Sequence, residues 1–247
     1  MFESDEKYYA DREYLTNSSL KLLHSSPLRF YLWLNDRLFD EKSDALSIGS
    51  AFHALSLEGI VNFVGYEKAR RGKEYELFCE ENKGKHILTN RDANMIQRMY
   101  DRLMLCPEVV ELMYNKNDLN LVELPATGFW DDVKIKGKAD MLVQRESGEQ
   151  FLVDIKTTAG EISEFSRSAK YMHYDQQAAF YCKLFGVKRF VFVVIRKQYP
   201  YDIGIFECSN DFINGGVQKA NWAITRYKEL FIENEFNPDA AAEIRIL

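Results

Sequence analysis

GKADMLV (residues 137–143) and FLVDIKTT (residues 151–158) are two apolar stretches that a short turn separates. The second is a short apolar run of the kind that forms a buried central strand. Charged residues interrupt or end both runs, namely Asp140 in the first and Asp154 and Lys156 in the second. Because a charge near a buried strand needs a compensating partner, these three side chains are the first candidates for a functional site.

The spacing within the second stretch has a direct structural consequence. Residues two apart on a strand face the same side, so Asp154 and Lys156 project together while Ile155 turns into the core. If the strand that carries Asp140 pairs with this one, the two carboxylates converge on one cation. Carboxylate, carbonyl and water ligands favour Mg²⁺ or Mn²⁺ over zinc. A structural alternative is a surface ion pair at a strand end, which contributes little.

Such a constellation suits phosphodiester hydrolysis. The reaction needs charge neutralised on the scissile phosphate and a water molecule activated near neutral pH, which a carboxylate-held divalent cation provides. A lysine ammonium beside the cation orients the water and stabilises the developing negative charge. The D-x-K spacing alone is a weak signal, because it occurs by chance in many proteins.

Outward from these strands, the order of elements predicts an α/β fold with a mixed central sheet and a helical N-terminal addition. We predict one domain over 1–247, with a mainly helical part over 1–115 and an α/β core over 116–247. The elements predicted in the first part are a helix capped by Asn17 or Ser18, a second from Pro27, a buried helix over Ser47–Gly59 that carries His53, an exposed helix or loop over 66–85 and a helix over Thr89–Met104. Those predicted in the second part are a hairpin with a turn at Asp131–Asp132 and its reversal over Asp132–Ile135, a central strand over Gln150–Ile155, a helix over Tyr174–Phe185, a strand over Lys188–Arg196, another after Pro200 and a closing helix over Ser209–Glu235.

Charge and composition narrow the function classes. The chain of 247 residues is 46% hydrophobic, which is enough for one substantial core, and its net charge is -6. An acidic protein lacks the basic footprint typical of nucleic-acid binding, but a local basic groove is compatible with it. Candidates for that groove, each of which is otherwise an ordinary solvated charge, are Lys68, Arg70, Arg71, Lys73, Lys134, Lys136 and Lys138.

The remaining composition points to an intracellular protein. No apolar run approaches the ~20 residues of a membrane span, and the N-terminus is acidic and polar. We therefore expect a soluble, cytoplasmic protein without a membrane partner. Scattered cysteines without a CxxC pair argue against zinc or iron–sulfur ligation and favour reduced thiols; they are Cys79, Cys106, Cys182 and Cys208.

Several motifs in order resemble the PD-(D/E)xK nuclease superfamily, in its RecB/RecE-like branch. More narrowly, they resemble the exonuclease VIII (RecE) type of phage and prophage nucleases. The resemblance implies a restriction-endonuclease-like core. Its motifs are LTNSSLKLLHSSPLRFYLW (15–33), IGSAFHALSLEG (48–59), GKADMLV (137–143), FLVDIKTT (151–158), YDQQAAFY (174–181) and FVFVVIRKQYPYDIGIFE (190–207).

The resemblance also implies roles for individual residues. Asp140 and Asp154 are then metal-binding carboxylates, Lys156 is the catalytic lysine, and metal ligation is completed by His53 and the backbone carbonyl of Ile155. Further along the chain, Gln177 and Tyr181 at i, i+4 spacing position DNA or water, and Glu123 is a possible supporting acid. The chain departs from the pattern where Leu152 and Val153 precede Asp154, so the Pro-Asp of the superfamily's name is absent, and where Arg196 stands in a position that is often acidic.

The function that the resemblance implies is a Mg²⁺- or Mn²⁺-dependent DNA exonuclease. It would resect linear double-stranded ends from 5′ to 3′ in phage-type recombination or repair, as a homo-oligomer and with a single-strand annealing protein as partner. A phage or prophage gene in a bacterial host would encode it. Without a GxxxxGK[ST] motif, ATP-driven translocation is not expected.

Two other functions remain open. A Cas4-like or RecB-like nuclease would act on single strands or flaps; relatives of that type frequently hold an iron–sulfur cluster through four cysteines, three of them grouped. Here the cysteines are ungrouped, so we expect no cluster. A protein of another class would be a DNA-binding or assembly module without catalysis.

Overall fold

The computed structural model of the chain describes residues 5–38 and 44–240. Its N-terminal part is mainly helical, as predicted. The elements there are α1 (Asp5–Ala10), α2 (Asn17–Ser25), α3 (Pro27–Leu34), α4 (Asp44–Glu58), β1 (Phe63–Tyr66), α5 (Lys73–Glu81), β2 (His86–Thr89), α6 (Asn90–Met104) and α7 (Pro107–Met113).

The second part carries the main sheet. Its elements are β3 (Leu119–Trp130), β4 (Val133–Gln144), β5 (Gln150–Thr158), α8 (Phe165–Tyr171), α9 (Tyr174–Phe185), β6 (Arg189–Arg196), β7 (Ile203–Glu207) and α10 (Asn210–Tyr227), with short 3₁₀ turns at Ile162–Glu164 and Pro238–Ala240. Within the described ranges, no helix combines the length and the apolar character that crossing a bilayer requires.

The five strands of this sheet lie in the order β3-β4-β5-β6-β7. Strands β5 and β6 are parallel and the other neighbours are antiparallel, so the sheet is mixed. The prediction of an α/β fold with a mixed sheet is confirmed, and the strand that ends in Asp154 and Lys156 lies at its centre. A parallel strand pair requires a crossover between its members, and helices α8 and α9 form it.

Apolar side chains cover both faces of the central strands. On one face, Val153 and Ile155 pack with Phe52 of α4 and Met99 of α6. On the other face, Leu152 packs with residues of α8, α9 and β6. Because both faces are covered, β5 reads as a continuous apolar run until its charged end.

Some boundaries differ from the sequence-based predictions. The cap of α2 is Thr16, whose hydroxyl accepts the amide of Ser19 at 3.0 Å while the Ser19 hydroxyl accepts the amide of Thr16 at 2.8 Å. This reciprocal capping box makes Thr16 the N-cap, so the helix begins at Asn17, one residue earlier than a cap at Asn17 would allow. The chain turns at 131–132, as predicted, but β4 has begun by Val133, so the reversal does not extend to Ile135. Helix α10 ends at Tyr227 and continues as a π-helix over Lys228–Ile232.

A small second sheet was not predicted. Strands β1 and β2 form a parallel pair at the two ends of the charged segment that we predicted to be an exposed helix or loop. Each strand has four residues, too few to show a period of two. Burial of Phe63 and Leu88 in the core beneath α4 and α6 fixes them.

Helices α9 and α10 approach closely at Gly216. A Cβ atom on Gly216 would lie 1.9 Å from the backbone oxygen of Asp175, whereas one on its neighbour Gly215 would lie 3.8 Å from the Asp175 carboxylate. Backbone atoms cannot move aside as a flexible side chain can, so only glycine fits at position 216.

We therefore predict opposite effects for two neighbouring substitutions. Gly216→Ala should lower the free energy of unfolding by about 3 kcal/mol, because the methyl group overpacks the contact with α9. Gly215→Ala should raise it by about 0.5–1 kcal/mol, because alanine restricts the unfolded chain at an uncrowded helical site. Urea unfolding of both variants measures the difference. Equal stability of the two variants would contradict the close approach.

Candidate active site

Three carboxylates lie at one level of three adjacent strands. The β3–β4 register pairs Val122 with Met141, and the β4–β5 register pairs Met141 with Val153. Glu123, Asp140 and Asp154 each lie one position away from one of these paired residues along the strands, and none of the three belongs to a regular backbone pair between β3 and β4 or between β4 and β5. Regular pairing of β4 with β5 ends at this level.

The backbone is irregular where these carboxylates lie. Glu123 has a φ of 49°, a conformation that is uncommon for a residue other than glycine. Its neighbours Val122 and Leu124 pack into opposite cores although they are two residues apart on a strand. Ala139 and Met141, on either side of Asp140, likewise pack into opposite cores. The side chains before and after Glu123, and those before and after Asp140, therefore point to opposite faces of the sheet instead of the same face. As a result, the two carboxylates need not point to either face.

Asp140 connects the opened strands to helix α4. Its Oδ2 accepts the backbone N–H of Ile155 at 3.0 Å and lies 2.6 Å from Nε2 of His53. The other ring nitrogen of His53 lies 3.2 Å from Glu123 Oε1, so the imidazole bridges the two carboxylates. Burial lowers the pKa of His53, but the charge of Asp140 and the bonds to both acids outweigh it and raise the pKa to about 10.

Glu123 has a second cationic neighbour. Its Oε2 lies 2.7 Å from Nζ of Lys138, so each of its two oxygens faces a different positive group. Although burial acts in the opposite direction, the bonds to His53 and Lys138 keep the pKa of Glu123 below its usual value. A carboxylate held in this way stays ionised at neutral pH and is available as a ligand.

Asp154 has a different environment, because it is only 4% exposed. Its Oδ2 lies 2.6 Å from Nζ of Lys156, and its Oδ1 accepts a hydrogen bond from Nε2 of Gln177 on α9. Burial, together with the negative charge of Asp140, raises the pKa of Asp154 to about 6. The predicted projection of Asp154 and Lys156 to the same side of the strand agrees with this ion pair.

Aromatic rings surround the lysine. Nζ of Lys156 lies 5.3 Å from the ring centroid of Tyr174 and 6.0 Å from that of Phe192. A second ammonium, that of Lys21 on α2, lies 5.2 Å from the Tyr174 ring. Burial and the charge of Lys156 lower the pKa of Lys21 to about 8. Sequence reasoning missed Lys21, because only the packing of α2 beside α9 brings it here.

The side chains described above lie in or beside a cleft with a volume of about 830 Å³. Among the predicted site residues, those that line the cleft are His53, Glu123, Asp140, Ile155 and Lys156. Asp154 and Gln177 are buried next to them. Tyr181 is not in the cleft: it lines a separate cavity with Lys136 and Lys138, and its ring packs against Gly137. Helix α9 therefore brings Gln177 to the site and directs Tyr181 under strand β4.

The predicted basic groove has a different structure from the one we expected. Lys136 is 2% exposed, and its ammonium donates to the backbone oxygens of Tyr8 and Asp11, so it is a buried structural cation and the prediction was wrong for it. Carboxylates neutralise most of the others: the pairs are Lys68–Glu74, Arg70–Asp44, Lys134–Glu13 and Lys138–Glu123.

One group of three side chains in the described part of the chain fits a metal ion. Ligand atoms of His53, Glu123 and Asp140 all lie within 4.8 Å of one another. Two carboxylates and an imidazole suit Mn²⁺ and, through the oxygens, Mg²⁺. Protonated His53 places a positive charge between the carboxylates of Glu123 and Asp140. A bound metal ion would place its positive charge between the same two carboxylates. Asp154 lies outside this group, since its oxygens contact Lys156 and Gln177.

Comparison with known proteins identifies the fold family. The family described as a PDDEXK-like domain of unknown function (DUF3799) matches residues 16–247, and the chain belongs to this family. This confirms the resemblance to the PD-(D/E)xK superfamily that the motifs predicted. Among proteins with curated functions, none matches the chain.

Comparison with solved structures gives one match that shows a shared fold. A protein from Eubacterium rectale described as a candidate exonuclease is 20% identical over 92% of this chain and 85% of its own, with a TM-score of 0.66. A phage-related exonuclease from Haemophilus somnus 129PT is 14% identical over 89% of this chain and 96% of its own, with a TM-score of 0.39. The first of these shows that the two proteins share a fold.

We predict that His53→Ala weakens Mn²⁺ binding. Loss of the imidazole removes one of three converging ligands. We expect the dissociation constant to rise by at least about 10- to 100-fold, which is the effect of losing a group that only hydrogen-bonds to a ligand. Isothermal titration with Mn²⁺ measures this, and His86→Ala, outside the cleft, is the matched control. An unchanged Mn²⁺ affinity in His53→Ala would remove this residue from the ligand set.

Proposed function

We propose that the protein is a Mg²⁺- or Mn²⁺-dependent deoxyribonuclease whose reaction centre comprises Asp140, Asp154 and Lys156. The observation that carries this proposal is the Asp154–Lys156 ion pair near the charged end of the central strand. Asp154 is buried, whereas Lys156 and Asp140 line a large cleft. A buried ion pair contributes little to stability, so a catalytic use explains its position better than a structural one.

The proposed reaction is hydrolysis of a phosphodiester bond. A water oxygen bonds to phosphorus, the bond to the leaving sugar oxygen breaks, and that oxygen takes up a proton. A bound divalent cation would neutralise charge on the scissile phosphate and lower the pKa of water. His53, Glu123 and Asp140 would hold it, and we retain Asp154 and the Ile155 carbonyl as further proposed ligands. The ammonium of Lys156 would stabilise negative charge on the phosphate as a compact point charge.

Gln177 is proposed as a positioning residue. Its amide nitrogen donates to Oδ1 of Asp154, which fixes the carboxylate so that the other oxygen faces Lys156. Tyr181 lies outside the cleft. Its proposed role in positioning DNA or water is therefore indirect and acts through helix α9.

The substrate and its setting form a finer part of the proposal. We propose an exonuclease that degrades linear double-stranded DNA from 5′ to 3′, acts as a homo-oligomer in the cytoplasm of a bacterial host and supplies single strands to an annealing protein in phage-type recombination or repair. The sequence resemblance supports these points, and the Eubacterium rectale protein shares the fold.

The arrangement of the cysteines favours this proposal over a Cas4-like nuclease with an iron–sulfur cluster. Among the described residues, the group of three potential ligands contains no cysteine. Burial raises the pKa of Cys182 to about 12, and a thiol that resists deprotonation is a poor metal ligand.

We predict that Asp154→Asn and Lys156→Ala each lower kcat by about 10³-fold or more. The first removes a proposed metal ligand that also pairs with Lys156, and the second removes the ammonium that would stabilise charge on the phosphate. Gln177→Ala should lower it by about 10- to 100-fold, as loss of a supporting hydrogen bond does at metal sites. The assay uses linear duplex DNA with Mg²⁺ or Mn²⁺, and a chelator should abolish cleavage reversibly. Lys188→Ala, an exposed residue just before β6 begins, is the control. Substantial cleavage by both charge variants would refute the assigned chemistry.

We further predict that linear duplex DNA is shortened from its 5′ ends. A duplex labelled at the 5′ end of one strand should release labelled mono- or short oligonucleotides at the earliest times, whereas a 3′ label should stay on long fragments. A closed circular duplex is the control and should persist. Early release of the 3′ label would reverse the polarity, and cleavage of the circle would replace the exonuclease by an endonuclease.

A further inference from the structure

A second cleft lies beside the catalytic one. It has a volume of about 360 Å³, and the residues that line it include Arg91 and Arg98 of α6 together with Lys197 and Tyr199 of the segment after β6. Lys197 lines the catalytic cleft as well. The two clefts therefore share a wall, and a chain that leaves the catalytic cleft past Lys197 enters the second one.

The positive charges of this second cleft are uncompensated. Within residues 5–38 and 44–240, Arg91, Arg98 and Lys197 have no ion-pair partner, in contrast to Lys68, Arg70, Lys134 and Lys138. Acidic residues around this cleft have other partners. Arg196, next to Lys197 in the chain, lies 2.5 Å from Glu161 and 3.8 Å from Asp202. On α6, Asp92 accepts a hydrogen bond from Thr89 and Asp101 accepts one from Gln97. In a protein of net charge -6, a local cluster of unpaired cations indicates an anionic ligand.

The arginines have the spacing of a backbone-tracking surface. Arg91 and Arg98 are seven residues apart on α6, which is two helical turns, so they lie on one face about 10 Å apart along the axis. That length spans more than one phosphate of a nucleic-acid strand, and both guanidinium groups can bind phosphate oxygens in a bidentate way.

An exposed aromatic ring completes the cleft. Tyr199 is 84% exposed, and its ring meets the ring of Tyr201 edge-on at a centroid distance of 6.1 Å. Tyr201 itself packs against the core and so supports Tyr199 from one side. A supported, exposed ring is a platform on which an unpaired base can stack. Bases within a duplex are already stacked on one another, so this platform selects a single strand.

We infer that this cleft is a binding site for single-stranded DNA adjoining the reaction centre, with phosphates at Arg91, Arg98 and Lys197 and a base on Tyr199. The inference rests on the proposed nuclease function for the identity of the strand. In the proposed nuclease, one strand of the DNA would continue from the cleft that contains Asp140 into this second cleft.

The test measures binding separately from cleavage. Fluorescence anisotropy follows a labelled oligothymidylate of about 16 nucleotides in a chelator, so that no cleavage occurs, at salt concentrations from about 50 to about 200 mM. For the Arg91→Ala/Arg98→Ala variant, the slope of log K against log salt should become shallower by about 1.4, which corresponds to two lost phosphate contacts on a single strand. The matched control is Lys116→Ala/Lys188→Ala, which removes two exposed cations outside both clefts and should leave the slope unchanged.

A second pair of variants tests the stacking platform. Tyr199→Leu should weaken oligothymidylate binding by about 5- to 150-fold, the effect of losing one stacked base, while Tyr199→Phe keeps the ring and should bind as the unmodified protein does. An unchanged salt slope in the double arginine variant, equal losses in both Tyr199 variants, or tighter binding of a duplex than of the single strand would each overturn the inference.

Cleavage assays distinguish failure of the binding-site inference from failure of the proposed nuclease function. If the unmodified protein binds the oligothymidylate as expected but cleaves no DNA with Mg²⁺ or Mn²⁺, the nuclease proposal fails and the binding site stands. If it cleaves linear duplex while the double arginine variant matches it in both binding and KM, only the binding site fails.

Discussion

The site depends on the position of one carboxylate, that of Asp140. It accepts the amide of Ile155 at 3.0 Å from the neighbouring strand and contacts His53 at 2.6 Å from helix α4. In a regular sheet, the Ile155 amide would bond to a backbone oxygen of β4. A side-chain oxygen takes that place instead, so β4 and β5 separate at this level and the gap becomes the floor of the cleft. Without the separation, the acids of adjacent strands would remain on the faces of a closed sheet.

Electrostatics explain why this group of charges is tolerated. Asp140 and Asp154 repel each other, and that repulsion together with burial raises the pKa of Asp154 to about 6. Lys156 and His53 offset the repulsion from opposite sides, and Glu123 is shared between His53 and Lys138. Acids and bases therefore alternate across the site. An arrangement of this kind costs desolvation energy and returns little stability, which is the pattern expected where selection has acted on function rather than on folding.

The distribution of the remaining cations has the same physical origin. Basic residues that are close in sequence lie on surfaces where acidic residues of this acidic chain reach them, and most of them are neutralised. Arg91 and Arg98 lie on one helix, and Lys197, from a distant part of the chain, meets them beside the cleft, where Arg196 pairs with Glu161. Charge that is available to a ligand is thus a property of the folded surface and not of any sequence run.

The sequence by itself determined the mixed sheet, the central position of the strand that ends in Asp154 and Lys156, and the helix that carries His53. Period, apolar runs and caps are local properties, and the order of motifs added the family. Tertiary structure alone decided the inversion of side-chain direction at Glu123 and Asp140, the small sheet of β1 and β2, and the placement of Lys21 near Lys156 and of Tyr181 outside the cleft. Each of these depends on which distant element packs nearby, and no short-range pattern records that information.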